Sequence, residues 1–468
     1  MKENFKKKKE ENELIKRFED HVKNKGSHFF ELDSFEQIID YYMEDGKFKK
    51  ALVAANLASN QYPFSPELLV AKAQIMSNLE KYDEALGLLE QAETIQPGDA
   101  EIHFLKGSIL SLLGRYSDAI ICYEKALVYT EEKDEAYYSM GLAQQSLELF
   151  EDAILSYKKA IEENIYHEGA LYELAYCLDY TGRLESSIDY YHKFIDADPY
   201  SQAAWYNLGI VYGKLEKYED ALKAYEYAIL IEENFSSAYF NIGNTYLKLG
   251  NYSEAIKAYT KTLDIEGASP EVYCQLGYAY EKIQHFDLGL KYFQKAAKLD
   301  QMYDEAWFGA GRCLDEQEKW HQALHFYNKA LKLDHENPNY WKAIAKAEFN
   351  IGNIVSSVDA YQEASMLIPE DKEVWLNWSH IYYEQGEYEK AIDLMTHALE
   401  ERPDDSDFFY RMTIYLISAG RYQEAFNYLE NALILNFDDH SILFDFFPQL
   451  ETQKALYKII DQFRNKNS

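Results

Sequence analysis

The chain predicts an all-α fold, a linear array of paired helices, on three observations. A register of 34 residues runs from Leu32 to Asp439 without insertion or deletion. It gives twelve units, starting at residues 32, 66, 100, 134, 168, 202, 236, 270, 304, 338, 372 and 406. One position is small in every unit: Ala51, Ala85, Ala119, Ala153, Ser187, Ala221, Ala255, Gly289, Ala323, Ser357, Ala391 and Ala425. Turn formers keep the same phase. Pro63, Pro66, Pro97, Pro199, Pro270, Pro338, Pro369 and Pro403 fall at unit junctions or helix starts, where a missing N–H costs little. Gly46, Gly114, Gly182, Gly250, Gly352, Gly386 and Gly420 fall between the two halves of a unit, where a left-handed backbone is useful. A short period of this kind marks a solenoid, whose units bury their apolar faces only against neighbours.

Residues 1–31 open with Lys2 and Lys6 to Lys9, then carry Leu14, Phe18 and Val22 four residues apart, the narrow apolar edge of a capping helix. The clearest unit is Gln202–Phe235. Trp205, Leu208, Gly209 and Tyr212 form one helical stripe, and Tyr218, Ala221, Tyr225 and Ala228 a second. The small Gly209 and Ala221 are expected to let the two backbones approach, with aromatics filling the space on either side. The position of Ala228 is alanine in ten units, and the exceptions, Phe194 and Thr262, mark where packing should depart from the rule. After Asp439 the phase persists in Leu443, Phe446, Leu450, Leu456 and Phe463. Pro448 interrupts the first helix there and Ile459 stands at the small position, so residues 440–468 read as a degenerate unit that closes the core.

The pattern Trp205-x2-Leu208-Gly209-x2-Tyr212, Ala221-x3-Tyr225 and Ala228 resembles the tetratricopeptide repeat, and the resemblance covers residues 32–439. It implies a right-handed α-solenoid superhelix of helix-turn-helix repeats, exceeding one full turn, whose first helices line a concave groove. It also implies a non-catalytic protein–protein interaction scaffold or adaptor that holds an extended peptide segment of a partner there. Two further readings stay open: a chaperone-like assembly factor that holds a client, and a structural subunit docked through its acidic outer face.

Within that groove the fifth position of successive repeats carries Phe104, Tyr138, Tyr172, Tyr206 and Phe240, joined by Tyr176 and Tyr180. Such rings give a bound peptide large contact area at low entropy cost. Asn207, Asn241 and Asn244 place amides suited to a peptide backbone; they resemble the asparagine ladder of O-GlcNAc transferase's superhelix over two repeats, without its catalytic domain. Lys214, Lys248 and Lys282 recur at one position, and Arg312, Lys342, Lys346 and Arg411 continue the basic residues, a candidate site for an acidic ligand. Against the five-residue carboxylate clamp of chaperone-binding relatives (lysine, asparagine, asparagine, lysine, arginine), the corresponding positions are Lys342, Lys346, Asn377, Asp407 and Arg411, and three of the five match. Asp407 puts an anion where that clamp has a cation.

Composition narrows the classes. A net charge of -33 and a pI near 4.8 set up a field that repels phosphate backbones and anionic lipid, which makes nucleic acid an unlikely partner. No apolar run is long enough for a membrane span, and the basic start lacks the apolar region of a secretory signal, so a cytoplasmic location is expected. Cys122, Cys177, Cys274 and Cys313 form neither a CxxC pair nor a disulfide framework, which fits a reducing compartment. Phosphate-binding Gly-rich loops, HExxH, GxSxG and the kinase set are absent from the sequence. His321 and His325 stand at metal-like spacing on the outward side of a second helix, with no third ligand nearby. No cofactor, metal or catalysis is expected, and the oligomeric state is not assigned.

Overall fold

The computed structural model describes residues 2–23, 29–447 and 454–467, so Pro448 and Leu450 lie outside the described residues. Every regular element among them is a helix. A helix spans Lys2–Val22, and a first helix then begins at each of the twelve unit starts, from Leu32–Glu44 to Ser406–Ser418. The second helices follow, most of them 14 residues long, as in Tyr218–Ile231. The chain divides into two compact units, Met1–Glu233 and Asn234–Ser468. In each, the core is a succession of side-chain clusters at helix contacts.

The turn between the two helices of a repeat is left-handed in all twelve repeats. Its φ lies between 58° and 91° at seven glycines and also at Glu80, Glu148, Glu216, Gln284 and Glu318. The geometry is that of a Schellman stop: in repeat six Lys217 N–H donates to Tyr212 O at 2.9 Å and Glu216 N–H to Gly213 O at 3.1 Å. The glycines marked this turn in the sequence, while the five acidic or amide residues bearing the same strain gave no signal.

Packing inside a repeat corrects one expectation. The room at Gly209 is filled by a ring rather than by the facing backbone: a Cβ there would stand 2.5 Å from Tyr225 Cε1. The same holds for Gly141 against Tyr157, Gly243 against Tyr259 and Gly311 against Tyr327. Where the glycine gains a side chain, its partner usually shrinks, as in the pairs Ile39/Ala55, Ala73/Leu89 and Thr413/Leu429. In Ile39/Ala55 and Ala73/Leu89 the summed volume matches that of Gly with Tyr, as close packing favours. Close backbone approach does occur at the other small position, where a Cβ on Gly289 would lie 3.1 Å from Gly277 O.

Of the two flagged exceptions, Thr262 fits a regular helix, Tyr252–Glu266, because its buried hydroxyl donates to Ala258 O at 3.1 Å. Phe194 does not. Its repeat opens the second helix with a 3-10 turn, Leu184–Ser187, followed by a short α-helix, Ile188–Ala197.

Recurrent polar contacts finish the design. The indoles of Trp205, Trp307, Trp341 and Trp375 each donate to a carbonyl six residues earlier, at the end of the preceding repeat, at 2.7–3.1 Å. Lysines of second helices cover the ring at this position, as Lys159 over Tyr137 at 5.2 Å and Lys329 over Trp307 at 4.0 Å.

Candidate interaction face

Four of the five rings at the fifth position of the first helices are half-buried and lean on the core ring of their own repeat. Phe104 lies 5.6 Å from Tyr123, Tyr138 6.0 Å from Tyr157, Tyr206 5.8 Å from Tyr225 and Phe240 5.7 Å from Tyr259. Tyr172 differs: it is 51% exposed, and no described ring covers it. Tyr176, one turn on, is 48% exposed, and Tyr180, also exposed, stacks on Phe150 at 4.1 Å. The helix Glu168–Tyr180 thus presents three tyrosines at four-residue spacing along one edge.

Beside them is a cleft of about 180 Å³ lined by Tyr172, Tyr176, Leu184, Tyr191, Asn207, Ile210 and Lys214. Sequence-predicted rings, an amide and a cation meet here, in the N-terminal unit. Lys214 is ion-paired with Asp179, also in the lining. The cleft is mostly apolar with polar groups at its edge, the lining a hydrophobic side chain of a bound segment requires. In the C-terminal unit, Asn241 is half-buried, and Asn244 accepts the Tyr259 hydroxyl at 2.6 Å, which commits its oxygen to the core ring.

Three further basic residues are engaged by carboxylates about one repeat away. Arg312 meets Glu281 at 2.8 Å, Lys346 meets Asp315 at 3.3 Å, and Lys342 meets Asp371 at 2.8 Å and Glu373 at 2.6 Å. A cleft of about 470 Å³ holds Arg312, Lys342, Lys346 and Asn377, together with Glu281, Asp315, Glu316 and Glu373, so carboxylates outnumber cations in its wall. Burial lifts the Glu281 carboxyl above its ordinary range, an effect that Arg312 only partly offsets. Lys248 is exposed, and Lys282 lies over Tyr278 at 5.0 Å. Of the clamp positions, Asp407 accepts Lys372 at 2.5 Å, and the Arg411 guanidinium sits 4.4 Å from the Phe446 ring centre. At Lys214, Arg312, Lys342 and Lys346 the positive charge anticipated from sequence is thus offset by carboxylates of the chain, while Lys248, Lys282 and Arg411 form no ion pair of this kind among the described residues.

All four thiols are free and buried, and burial pushes Cys177, Cys274 and Cys313 up to about 12, far from the thiolate a nucleophile needs. His321 and His325 are exposed. Among the described residues no helix is long and apolar enough to cross a membrane, and no group of three His, Cys, Asp or Glu is placed to hold a metal ion.

Models of the tetratricopeptide repeat match residues 107–148, 138–202, 203–235, 224–257, 243–284, 270–301, 304–337 and 372–405, together more than half of the chain. No curated protein matches the sequence. Similar solved structures include YrrB, described as a TPR protein with an unusual peptide-binding site: 22% identity, 40% of this chain and 96% of that one, TM-score 0.35. MamA shares 28% identity over 37% of this chain and 94% of its own, TM-score 0.34. Yeast Tom70 shares 14% identity over 83% of this chain and 96% of its own, TM-score 0.40. With helix pairs at a constant period and repeat models matching more than half of it, the chain belongs to the tetratricopeptide repeat family of protein–protein interaction scaffolds.

Proposed function

We propose that this protein is an adaptor that binds an extended segment of a protein partner against the first helices of repeats five and six. The observation that carries the reading is the exposed pair Tyr172 and Tyr176 beside an apolar cleft edged by Asn207 and Lys214. Large rings half in water gain most when a partner covers them, and an adjacent amide can bond the partner's backbone. The test is the double variant Tyr172→Ala/Tyr176→Ala, whose circular dichroism should match the wild type because both rings are exposed. A partner captured by the wild type should be lost by the variant, and its isolated segment should bind about tenfold more weakly or worse. Retention of every partner at unchanged affinity removes this face from recognition.

One observation favours docking as a subunit through the second helices instead. Position 22 carries Val53, Gly87, Ile121 and Leu155 in the first four repeats, and Ile121 and Leu155 are 53% and 58% exposed. The same position is Asp189, Lys223, Lys257, Lys291, His325, Asp359, Asp393 and Asn427 in the other eight. Apolar side chains at this position in three of the first four repeats and in none of the other eight support a partner on that face. Ile121→Lys/Leu155→Asp separates the readings, since it should release only partners docked there.

A further inference from the structure

The C-terminal segment folds back over the first helices of repeats eleven and twelve. Phe446 ends a short helix, Ile442–Phe446, anchored by the fully buried Leu443. Its ring lies 5.9 Å from His380 and 5.4 Å from Tyr383, both edge-on, and 4.4 Å from the Arg411 guanidinium. His380 and Tyr383 belong to repeat eleven and Arg411 to repeat twelve, so one side chain spans two repeats on the face where other repeats present their clefts. Tyr383 is backed in turn by Tyr415, stacked at 5.4 Å, so the seat is built of rings.

The fit is incomplete in one respect. His380 Nδ1 and Arg411 Nη1 are buried with no hydrogen-bond partner in the protein. The adjoining Phe446 ring carries no oxygen or nitrogen to bond either atom, and a buried polar atom left unmet weakens the packing that buries it. A ligand offering the same ring beside a hydrogen-bond acceptor would keep the aromatic contacts and add a bond from the Arg411 guanidinium.

We propose that His380, Tyr383 and Arg411 form a seat for an aromatic side chain of a peptide, that Phe446 fills it in cis, and that a partner segment pairing an aromatic residue with an acceptor displaces it. The seat is independent of the cleft at repeats five and six. Emptying it should expose it to ligand in trans, because a cis occupant reduces the competent fraction of the protein.

The probe is a fluorescein-labelled synthetic peptide of residues 438–447, titrated by polarisation against the full chain. Phe446→Ala should bind it about tenfold more tightly than wild type or better, and a peptide with alanine in place of Phe446 should bind neither. Adding Arg411→Ala to the Phe446→Ala chain should abolish binding. Equal affinities for the two chains, or no binding to a Phe446→Ala chain with native circular dichroism, overturns the proposal. A second measurement does not depend on that variant folding: with 4-fluorophenylalanine at position 446, excess unlabelled peptide should move the ¹⁹F resonance toward its value in the free peptide. An unmoved resonance makes Phe446 a permanent cap and overturns displacement.

Discussion

Repeats five and six are neighbours of equal length whose second helices differ. Repeat six packs Gly209 against Tyr225 and keeps Ala221 and Ala228 buried, and its second helix runs unbroken from Tyr218 to Ile231. Repeat five has Ala175 against Tyr191, with Ser187 and Phe194 at the two alanine positions. The Ala–Tyr pair alone does not disturb the second helix, since repeat ten carries Ala345 and Tyr361 with an unbroken helix Ile354–Leu367. The extra volume of Phe194, however, cannot enter a close-packed contact without moving a helix. The start of the second helix yields, tightening into the 3-10 turn at Leu184–Ser187, where the Ser187 hydroxyl donates to Leu184 O at 2.7 Å. Tyr172, the exposed fifth-position ring, belongs to this same repeat. Departure from the repeat rule and the candidate site thus coincide.

The comparison can be broken at its heaviest point first. Phe194→Ala should leave a cavity in repeat five and cost about 3–5 kcal/mol, read from urea unfolding. A much smaller loss would mean that the repeat relaxes toward the geometry of repeat six. Gly209→Ala gives repeat six the Ala–Tyr pair of repeat five and should cost about 1–3 kcal/mol, with most of the loss recovered by adding Tyr225→Leu, as the natural pair Ala73/Leu89 suggests. At the turn, repeat five has Gly182 with φ 70° and repeat six Glu216 with φ 58°. Glu216→Gly should therefore raise stability by about 1 kcal/mol, and Gly182→Ala should lower it by about as much.

The smallest effect concerns Cys177, which stands where repeat six has Val211. Burial favours its neutral thiol in the fold and pushes it up to about 12, so this contribution is complete below the ordinary thiol range and lost as pH rises toward 12. Disulfide-exchange reagents at pH 8 should leave Cys177 unmodified until the chain unfolds. Rapid labelling of the native protein would show that the thiol is not sealed.

The helix starts were legible because they depend on positions that recur every 34 residues, each under the same steric limit. Three things were not. The left-handed turns at Glu80, Glu148, Glu216, Gln284 and Glu318 are imposed by their neighbours, against the preference of the residues themselves. The pairing of Arg312 with Glu281 and of Lys346 with Asp315 joins residues 31 positions apart, which only stacking brings together. Phe446 over Arg411 depends on where the chain goes once the period has ended. The aromatic residues at the fifth position are plain in the sequence, but it did not show that four lean on core rings while Tyr172 stands clear.

The indole bonds have an optical consequence. Trp205, Trp307, Trp341 and Trp375 each report the join between one repeat and the next, because each is tied to a carbonyl of the preceding repeat. Their emission should shift to the red when such a join opens, even while both helices of every repeat are intact and the far-ultraviolet signal is unchanged. Single-tryptophan versions would then turn the array into a ruler, resolving which junction parts first under denaturant.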